Sequence, residues 1–206
     1  MNTVHFLPTP IMTNESEKNH RRAILDAARQ ILIQDGYKNL SMRKIARQIG
    51  GSQGTIYLYF QNKDAIFYAL IDEGSEKLYG LYETILNTPA EPQEHLTRIC
   101  QAYINFGLEN PSYYEIMHIT LPMMTERFPK EQYRRARRFL ELTAQTLQTC
   151  AAQKGETLSE PYLEATLLWA TMHGVVSLII AQRIDIRLDR ERLIEQTIHR
   201  ATSHYL

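Results

Sequence analysis

Apolar side chains recur along this chain at the three-and-four spacing of helices, and no stretch shows the every-second-residue alternation of a half-buried strand. Over residues 18–34, Ile24, Ala27, Ala28, Ile31 and Leu32 share one helical face, and Gly36 stands where such a helix ends. Two shorter units follow. Met42, Ile45, Ala46 and Ile49 form an apolar face behind Ser41, a residue type that caps helix starts. Gly50 and Gly51 supply a turn, and Ser52 opens a second short helix in which Ile56 and Phe60 lie four apart. With those two turned inward, Gln53, Thr55, Tyr57 and Tyr59 are expected on the outer surface as hydrogen-bonding groups suited to phosphates and base edges.

The pattern then lengthens. Asn62 is placed to cap a helix reaching about residue 86, which links this first part of the chain to the rest. Pro89 and Pro92 interrupt the chain, and Leu96, Ile99, Cys100, Tyr103 and Phe106 form the next stripe, up to Asn110 and Pro111. A short helix starts there, residues 121–129 read as a proline-containing loop, and one helix is predicted over 130–153, stopped by Lys154-Gly155. Helices over 161–182 and 189–205 complete the chain. The class is all-α, with about nine helices and no internal repeat. The predicted organisation is a disordered extension at 1–17, a helix-turn-helix module at 18–63 and a helical domain at 64–206, whose ~140 residues can bury a core of their own. The extension scatters Val4, Phe6, Leu7 and Ile11 among Pro8 and Pro10, lacks the basic start and continuous apolar run of a secretory signal, and holds Met12 as a second candidate start.

Charge sharpens the picture. The chain is formally neutral, with 23 basic and 23 acidic side chains, but nine of the bases lie between residues 18 and 63 against only Asp26 and Asp35, a local net of +7. A basic module on an otherwise acidic protein concentrates positive potential where a polyanion docks. A merely solvated basic surface is the competing reading, which the turn chemistry makes the weaker one.

The sequence in this region resembles the tetracycline-repressor (TetR) family of bacterial transcription regulators. The resemblance runs from Ala23-Ile24-Leu25-Asp26-Ala27-Ala28, through Gly36-Tyr37 and Ser41-Met42-Arg43-Lys44-Ile45-Ala46, to Gly54-Thr55-Ile56-Tyr57 and Phe60-Gln61-Asn62-Lys63-Asp64. It implies that Ser41, Arg43, Thr55, Tyr57, Tyr59 and Lys63 hold DNA phosphates, and that Ser52 and Gln53 approach bases. Gly51 departs from the family, which usually has a small apolar side chain there, and this is expected to loosen or re-angle the turn. The segment Trp169 to Gly174, with His173-Gly174, resembles one C-terminal subclass of the family, and in nine-helix members the last two helices form a four-helix dimer interface.

Helix 161–182 is the least ordinary part of the second domain, because residues 165–182 contain no Asp, Glu, Lys or Arg. As a membrane span it barely reaches the needed length, and Thr166, Thr171, His173, Ser177 and Gln182 interrupt it, so a span is rejected. A helix apolar nearly all round must be covered on every side, and a second copy of the chain is the economical cover. Helix 189–205 adds a stripe of Leu193, Ile194, Thr197, Ile198, Ala201 and Tyr205.

No candidate catalytic chemistry emerges. Cys100 and Cys150 sit on apolar stripes and read as buried free thiols, with a redox switch the minority option. The seven histidines show no metal-like pairing, although His118 and His173 are worth attention. No phosphate loop or nucleophile motif is present. The run Tyr133-Arg134-Arg135-Ala136-Arg137-Arg138 reads as a solvated face, with Glu131 to Arg135 and Arg137 to Glu141 pairing at i,i+4. Ligand sensing is better placed at Tyr103, Tyr113, Met117, Phe139, Trp169 and His173, within a wider set that includes Phe106, Tyr114, Met123 and Met124. For any one of these, core packing is the commoner role, and the group is a better candidate than its members.

The expectation is therefore a cytoplasmic, non-enzymatic transcription regulator without cofactor or metal. It binds a double-stranded, near-palindromic DNA operator as a homodimer through helices 161–182 and 189–205, repressing until an apolar or amphipathic small-molecule inducer releases it, with no membrane partner. The alternatives are a helical DNA-binding interaction module without small-molecule sensing and, more remotely, a small helical enzyme.

Overall fold

The computed structural model describes residues 14–118 and 130–205, and every regular element among them is helical. Two compact units divide the chain, Met1–Phe67 and Tyr68–Leu206. In the first, α1 (Asn14–Asp35) already includes residues 14–17 of the expected extension, while residues 1–13, with Met12, lie outside the described residues. It stops at Gly36, whose φ of +75° continues no helix and whose N–H donates to Leu32 O at 3.0 Å. A single 3₁₀ turn, Tyr37–Asn39, leads to α2 (Met42–Gln48) and α3 (Gln53–Tyr57). The apolar faces of the pattern meet in one small core, where Ile24, Ala28, Leu40, Ile45 and Ile56 are fully or almost fully enclosed.

The turn between α2 and α3 rests on one glycine. Gly50 takes φ +68°, its N–H donates to Arg47 O at 3.3 Å, and the Gly51 N–H reaches back to Ala46 O at 2.9 Å, the paired bonds of a left-handed helix stop. Gly51 has no such conformation to adopt, and a Cβ there would meet only Ile49 carbons at 3.5 and 3.6 Å, an ordinary contact. The turn is thus closed without a side chain at position 51. Past it, α3 ends at Tyr57, earlier than the Ile56–Phe60 pairing implies. Phe60 reaches the core from the turn that follows, its N–H donating to Ile56 O at 3.0 Å.

Asn62 accepts the Ala65 N–H at 2.8 Å and starts α4 (Lys63–Leu86), within which the boundary between the two units falls. The second unit continues with α5 (Pro92–Glu109), α6 (Pro111–His118), α7 (Lys130–Ala136), α8 (Arg138–Gln153), α9 (Pro161–Ile180) and α10 (Arg190–Thr202). The loop expected at 121–129, with Met123 and Met124, lies outside the described residues. Ten α-helices are present among the described residues instead of about nine, because the single helix predicted over 130–153 breaks at Arg137 (φ −108°, ψ 7°).

Helices α5, α8 and α9 form the centre of this unit, and α10 lies on α5 and α9. Leu78, Leu96, Ile99 and Leu147 are wholly enclosed there, each worth about 1.5–3 kcal/mol by the transfer of its side chain from water. Gly107 is required for the close approach of α5, since a Cβ would sit 2.6 Å from Val176 and 2.9 Å from Tyr114. Cys100 and Cys150 are buried and free, and burial pushes the Cys100 thiol up to about 12, so it carries no nucleophilic thiolate at neutral pH.

Helix α9 has two unlike faces. Ala165, Leu168, Met172, Val175 and Val176 are buried in the unit, whereas Tyr162, Leu163, Leu167 and Leu178 are exposed. By length and composition α9 is long and apolar enough to cross a membrane, with mean hydropathy 1.5, but here it packs along one side on α5, α8 and α10. It ends where Gln182 takes φ +53°. In α10 the stripe expected to face a partner is largely used within the chain: Ile194 and Ile198 are buried, and the Tyr205 hydroxyl donates to Glu164 at 2.5 Å.

Candidate nucleic-acid interface and candidate ligand site

The residues expected at DNA share the first unit but not one environment. Ser41 and Ser52 are exposed caps: the Ser41 hydroxyl accepts the Lys44 N–H and the Ser52 hydroxyl the Thr55 N–H, each at 3.2 Å. Ser52 and Thr55 hydroxyls are also 3.0 Å apart, so both positions anchor the start of α3 while remaining at the surface. Arg43 and Gln53 are exposed, and Tyr57 is 53% exposed. A concavity of about 260 Å³ lined by Asn39, Ser41, Arg43, Lys44 and Arg47 sits at the start of α2. Lys44 is tied to Asp35 at 2.7 Å, leaving Arg43 and Arg47 as exposed cations beside it.

Two expected residues are placed differently. Tyr59 stacks on His20 of α1, with ring centroids 6.4 Å apart, and its hydroxyl is enclosed without a hydrogen-bond partner, so it does not join the outer face. Lys63 is half-buried, its ammonium 4.5 Å from the Tyr37 ring centroid and 3.5 Å from Tyr37 O. Tyr37 in turn donates to Asp64, so the first turn of α4 is clamped to the 3₁₀ turn. Lys63 is thereby held at a helix start rather than left to swing in solvent.

In the second unit the six expected ligand residues separate into two groups. Tyr103, Phe139, Trp169 and His173 come together: the Trp169 indole donates to the Tyr103 hydroxyl at 2.8 Å, Phe139 lies 6.0 Å from Tyr103 and 5.9 Å from Trp169, and His173 lies 5.7 Å from Trp169. Tyr113 and Met117 instead face α4. Lys77 stands 5.6 Å from the Tyr113 ring, and a side chain at Gly74 would collide with Met117. The cluster positions on α6 are taken by Tyr114 and His118, one residue further along and again four apart. The Tyr114 hydroxyl lies 2.5 Å from His173 Nδ1 and 3.3 Å from Ser177, and the His118 ring is 5.0 Å from that of Tyr114 and 5.5 Å from that of His173. Helix α6 therefore presents one edge to the ring cluster and the other to α4. Periodicity alone favours neither register, so the expected 113/117 pair and the observed 114/118 pair satisfy it equally.

Burial sets the electrostatics. Desolvation pushes His118 down to about 3, helped by His173 and by the charge of Arg137, and desolvation also lowers His173. Both rings are neutral at pH 7. The Tyr103 hydroxyl is held well above its ordinary value by desolvation, with Tyr114 adding to it. Beside the cluster, Tyr82, Cys100, Phe139, Trp169 and Met172 help enclose a cavity of about 10 Å³, room for roughly one water.

The arginine run is not the solvated, self-paired face expected. Glu131 pairs with Arg134 at 3.5 Å, while Arg135 reaches Asp72 at 2.9 Å and Arg138 reaches Glu76 at 3.0 Å, both on α4. Arg138 also lies 3.6 Å over the Tyr79 ring, and between these two Arg137 turns over Trp169 at 5.5 Å. The helix break at Arg137 lets adjacent arginines reach opposite neighbours, an arrangement that sequence spacing on one straight helix excludes.

Two helices joined by a glycine turn, with capped starts and an exposed cationic and hydrogen-bonding edge, define a helix-turn-helix DNA-binding regulator. Residues 24–70 match the bacterial regulatory proteins of the tetR family, and residues 96–201, over half the chain, match the tetracyclin repressor-like C-terminal domain. The chain belongs to the TetR family of transcriptional regulators, a non-enzymatic class. It is similar to the HTH-type transcriptional repressor Rv1474c of Mycobacterium tuberculosis, 36% identical over 69 residues covering 34% of this chain and 37% of that protein. It is also similar to the fatty acid metabolism regulator protein of Bacillus subtilis, 33% identical over 82 residues covering 40% and 42%. The chain thus spans well under two thirds of the curated relatives it matches. Its fold is like that of the transcriptional regulator FadR from Bacillus subtilis, solved in complex with stearoyl-CoA, with TM-score 0.67, 22% identity and coverage of 88% of this chain and 97% of that one.

Proposed function

We propose that the protein is a cytoplasmic repressor that binds a near-palindromic DNA operator as a homodimer and is released by an apolar or amphipathic small molecule. In this reading Ser41, Arg43, Thr55, Tyr57 and Lys63 hold phosphates and Ser52 and Gln53 meet bases, while the exposed face of α9, with Leu163, Leu167 and Leu178, is the surface a second copy covers. The observation that carries it is the double placement of α6: Tyr114 and His118 belong to the ring cluster, and Tyr113 and Met117 lie on α4. Occupation of the cluster then shifts α6, and with it α4, whose first turn carries Lys63. Ligand and operator favour different positions of α4, so each weakens the other by the same factor, typically about 5–150-fold. That a similar fold was solved with stearoyl-CoA supports an apolar-bodied ligand.

The experiment is selection of bound duplexes from a random pool, followed by a screen for compounds that release the selected operator. A near-palindromic sequence, a dimeric mass by light scattering and at least one releasing compound are expected. A monomer that binds asymmetric DNA would overturn the dimer. A second reading, a DNA-binding module without a sensor, is favoured by the small enclosed volume of about 10 Å³ beside Trp169. A broad screen in which nothing releases the operator would select it.

A further inference from the structure

Helix α3 ends on an apolar side chain that the core does not use. Leu58 is 78% exposed, the most exposed large apolar side chain among the described residues of the first unit, where Tyr57 and Ile33 follow at 53% and 37%. Its backbone (φ −66°, ψ −27°) continues the helical path of α3, so Leu58 stands four residues beyond Gly54 on one edge, as Tyr57 stands beyond Gln53. All four positions are exposed, while Ile56 and Phe60 hold the buried side.

The glycine on this edge is not demanded by the fold either. Gly54 has no positive φ, and a Cβ there would meet only Ser52 Oγ at 3.6 Å, an ordinary contact. Glycine weakens a helix relative to alanine, so its value here is the bare backbone, which another molecule can approach closely. Nothing but Ser52 Oγ comes within 4 Å of that missing Cβ, so the edge between Gly54 and Leu58 is an open hollow with a backbone floor and a leucine wall.

We infer that Gly54 and Leu58 read a thymine: with α3 in the major groove, the Gly54 backbone comes close to a base edge and Leu58 packs on the C5-methyl group of a thymine. The inference rests on the placement of α3 at the bases proposed above, and it names the base that this edge selects. The thymine methyl is the one apolar group that a base pair presents in the major groove, and the other base edges offer donors and acceptors that a leucine cannot pair. Covering those with Leu58 would strip them of water without return. The phosphates have hydrogen-bonding and cationic groups to meet them nearby, at Ser41, Arg43 and Tyr57. A protein partner is disfavoured by size, since one leucine beside Gln53 and Tyr57 is far short of the roughly 800 Å² that each side of a stable interface buries.

The test uses the full chain and the operator selected from random duplexes, with each thymine in turn replaced by deoxyuridine, which still pairs with adenine and loses only the methyl group. At one thymine in each half-site the replacement should weaken binding about fourfold, the effect of uncovering one methyl group. Leu58→Ala should lose a similar factor on the unmodified operator, keep its affinity for random duplexes, and be indifferent to deoxyuridine at that same position, so that the protein and DNA changes are coupled. Gly54→Ala should raise thermal stability and weaken the operator, with random-duplex binding unchanged. If no deoxyuridine position distinguishes the unaltered protein from Leu58→Ala, or if Leu58→Ala weakens operator and random duplexes by one common factor, the thymine reader is overturned. A changed sequence preference in Gln53→Ala would then leave α3 at the bases without it. Identical selections from the unaltered protein, Gln53→Ala and Leu58→Ala would remove α3 from the bases altogether, and both readings would fall.

Discussion

Trp169 donates its indole N–H to the Tyr103 hydroxyl at 2.8 Å, which fixes α9 to α5 at the centre of the ring cluster. The bond satisfies the one polar atom of an otherwise apolar side chain, whose ring also lies 5.9 Å from that of Phe139 and 5.5 Å from the Arg137 guanidinium. Tyr103→Phe leaves that N–H unpaired while keeping the ring. Chemical denaturation should show a loss of about 1–3 kcal/mol, and Trp169 emission should change in the folded state. Unchanged stability would mean that water replaces the hydroxyl.

Tyr57 and Tyr59 are separated by one residue and differ in environment, one exposed and one with its hydroxyl enclosed and unpartnered. Tyr57→Phe should weaken binding to operator and random DNA alike. Tyr59→Phe should leave DNA affinity unchanged and stability equal or higher, since it removes an unpaired buried hydroxyl. Lys63→Ala should lower the salt slope of DNA binding by about one unit, and Gln53→Ala should alter sequence preference instead. Salt titrations on the selected operator distinguish these outcomes.

The two glycines of the turn make opposite predictions. Gly50 stands at φ +68°, where a side chain is strained, so Gly50→Ala should destabilise the protein by about 1 kcal/mol or more. Gly51→Ala meets only ordinary contacts and should stabilise by about 0.4–1 kcal/mol through the unfolded chain, with DNA binding retained. Thermal unfolding of both variants reads the difference.

Acid stability should depend on His118. Its value of about 3 in the fold lies below the 6.5 of the unfolded chain, so the unfolded state takes the proton first. The stability it contributes is complete above pH 6.5 and is lost as pH falls toward 3, with a limiting slope of about 1.4 kcal/mol per pH unit. His118→Phe should flatten urea-derived stability between pH 6.5 and 4.5. An unaltered slope would assign the acid sensitivity elsewhere.

Arg135 and Arg138 hold the α7–α8 segment to α4, through ion pairs whose side chains are partly exposed. Arg135→Gln should therefore cost only about 0–1 kcal/mol, less at high salt. Any ligand that releases operator should do so with smaller coupling in this variant, while its own binding to the cluster is little changed.

The helix-turn-helix was legible because it is a local structure. Ser41, Gly50, Ser52 and Asn62 act through bonds to residues within five positions, so their chemistry appears in the sequence at fixed spacing. The same locality limits what spacing can say. That Tyr59 turns its hydroxyl inward depends on α3 ending at Tyr57 and on His20 of a different helix.

In the second unit the sequence by itself determined that the chain is helical, where most helices start and stop, that α9 is too apolar to be covered by one face, and that aromatic side chains gather there. The tertiary structure alone decided which edge of α6 faces the rings, that the arginine run divides between α4 and Trp169, and that Ile194 and Ile198 of α10 are buried within their own chain. The reason is physical. A 3.6-residue period determines which residues share a face but not the rotation of that face toward a neighbour, and neighbouring registers such as 113/117 and 114/118 satisfy it equally. Only packing at close range, as where Gly107 admits Tyr114 and Val176, selects one of them.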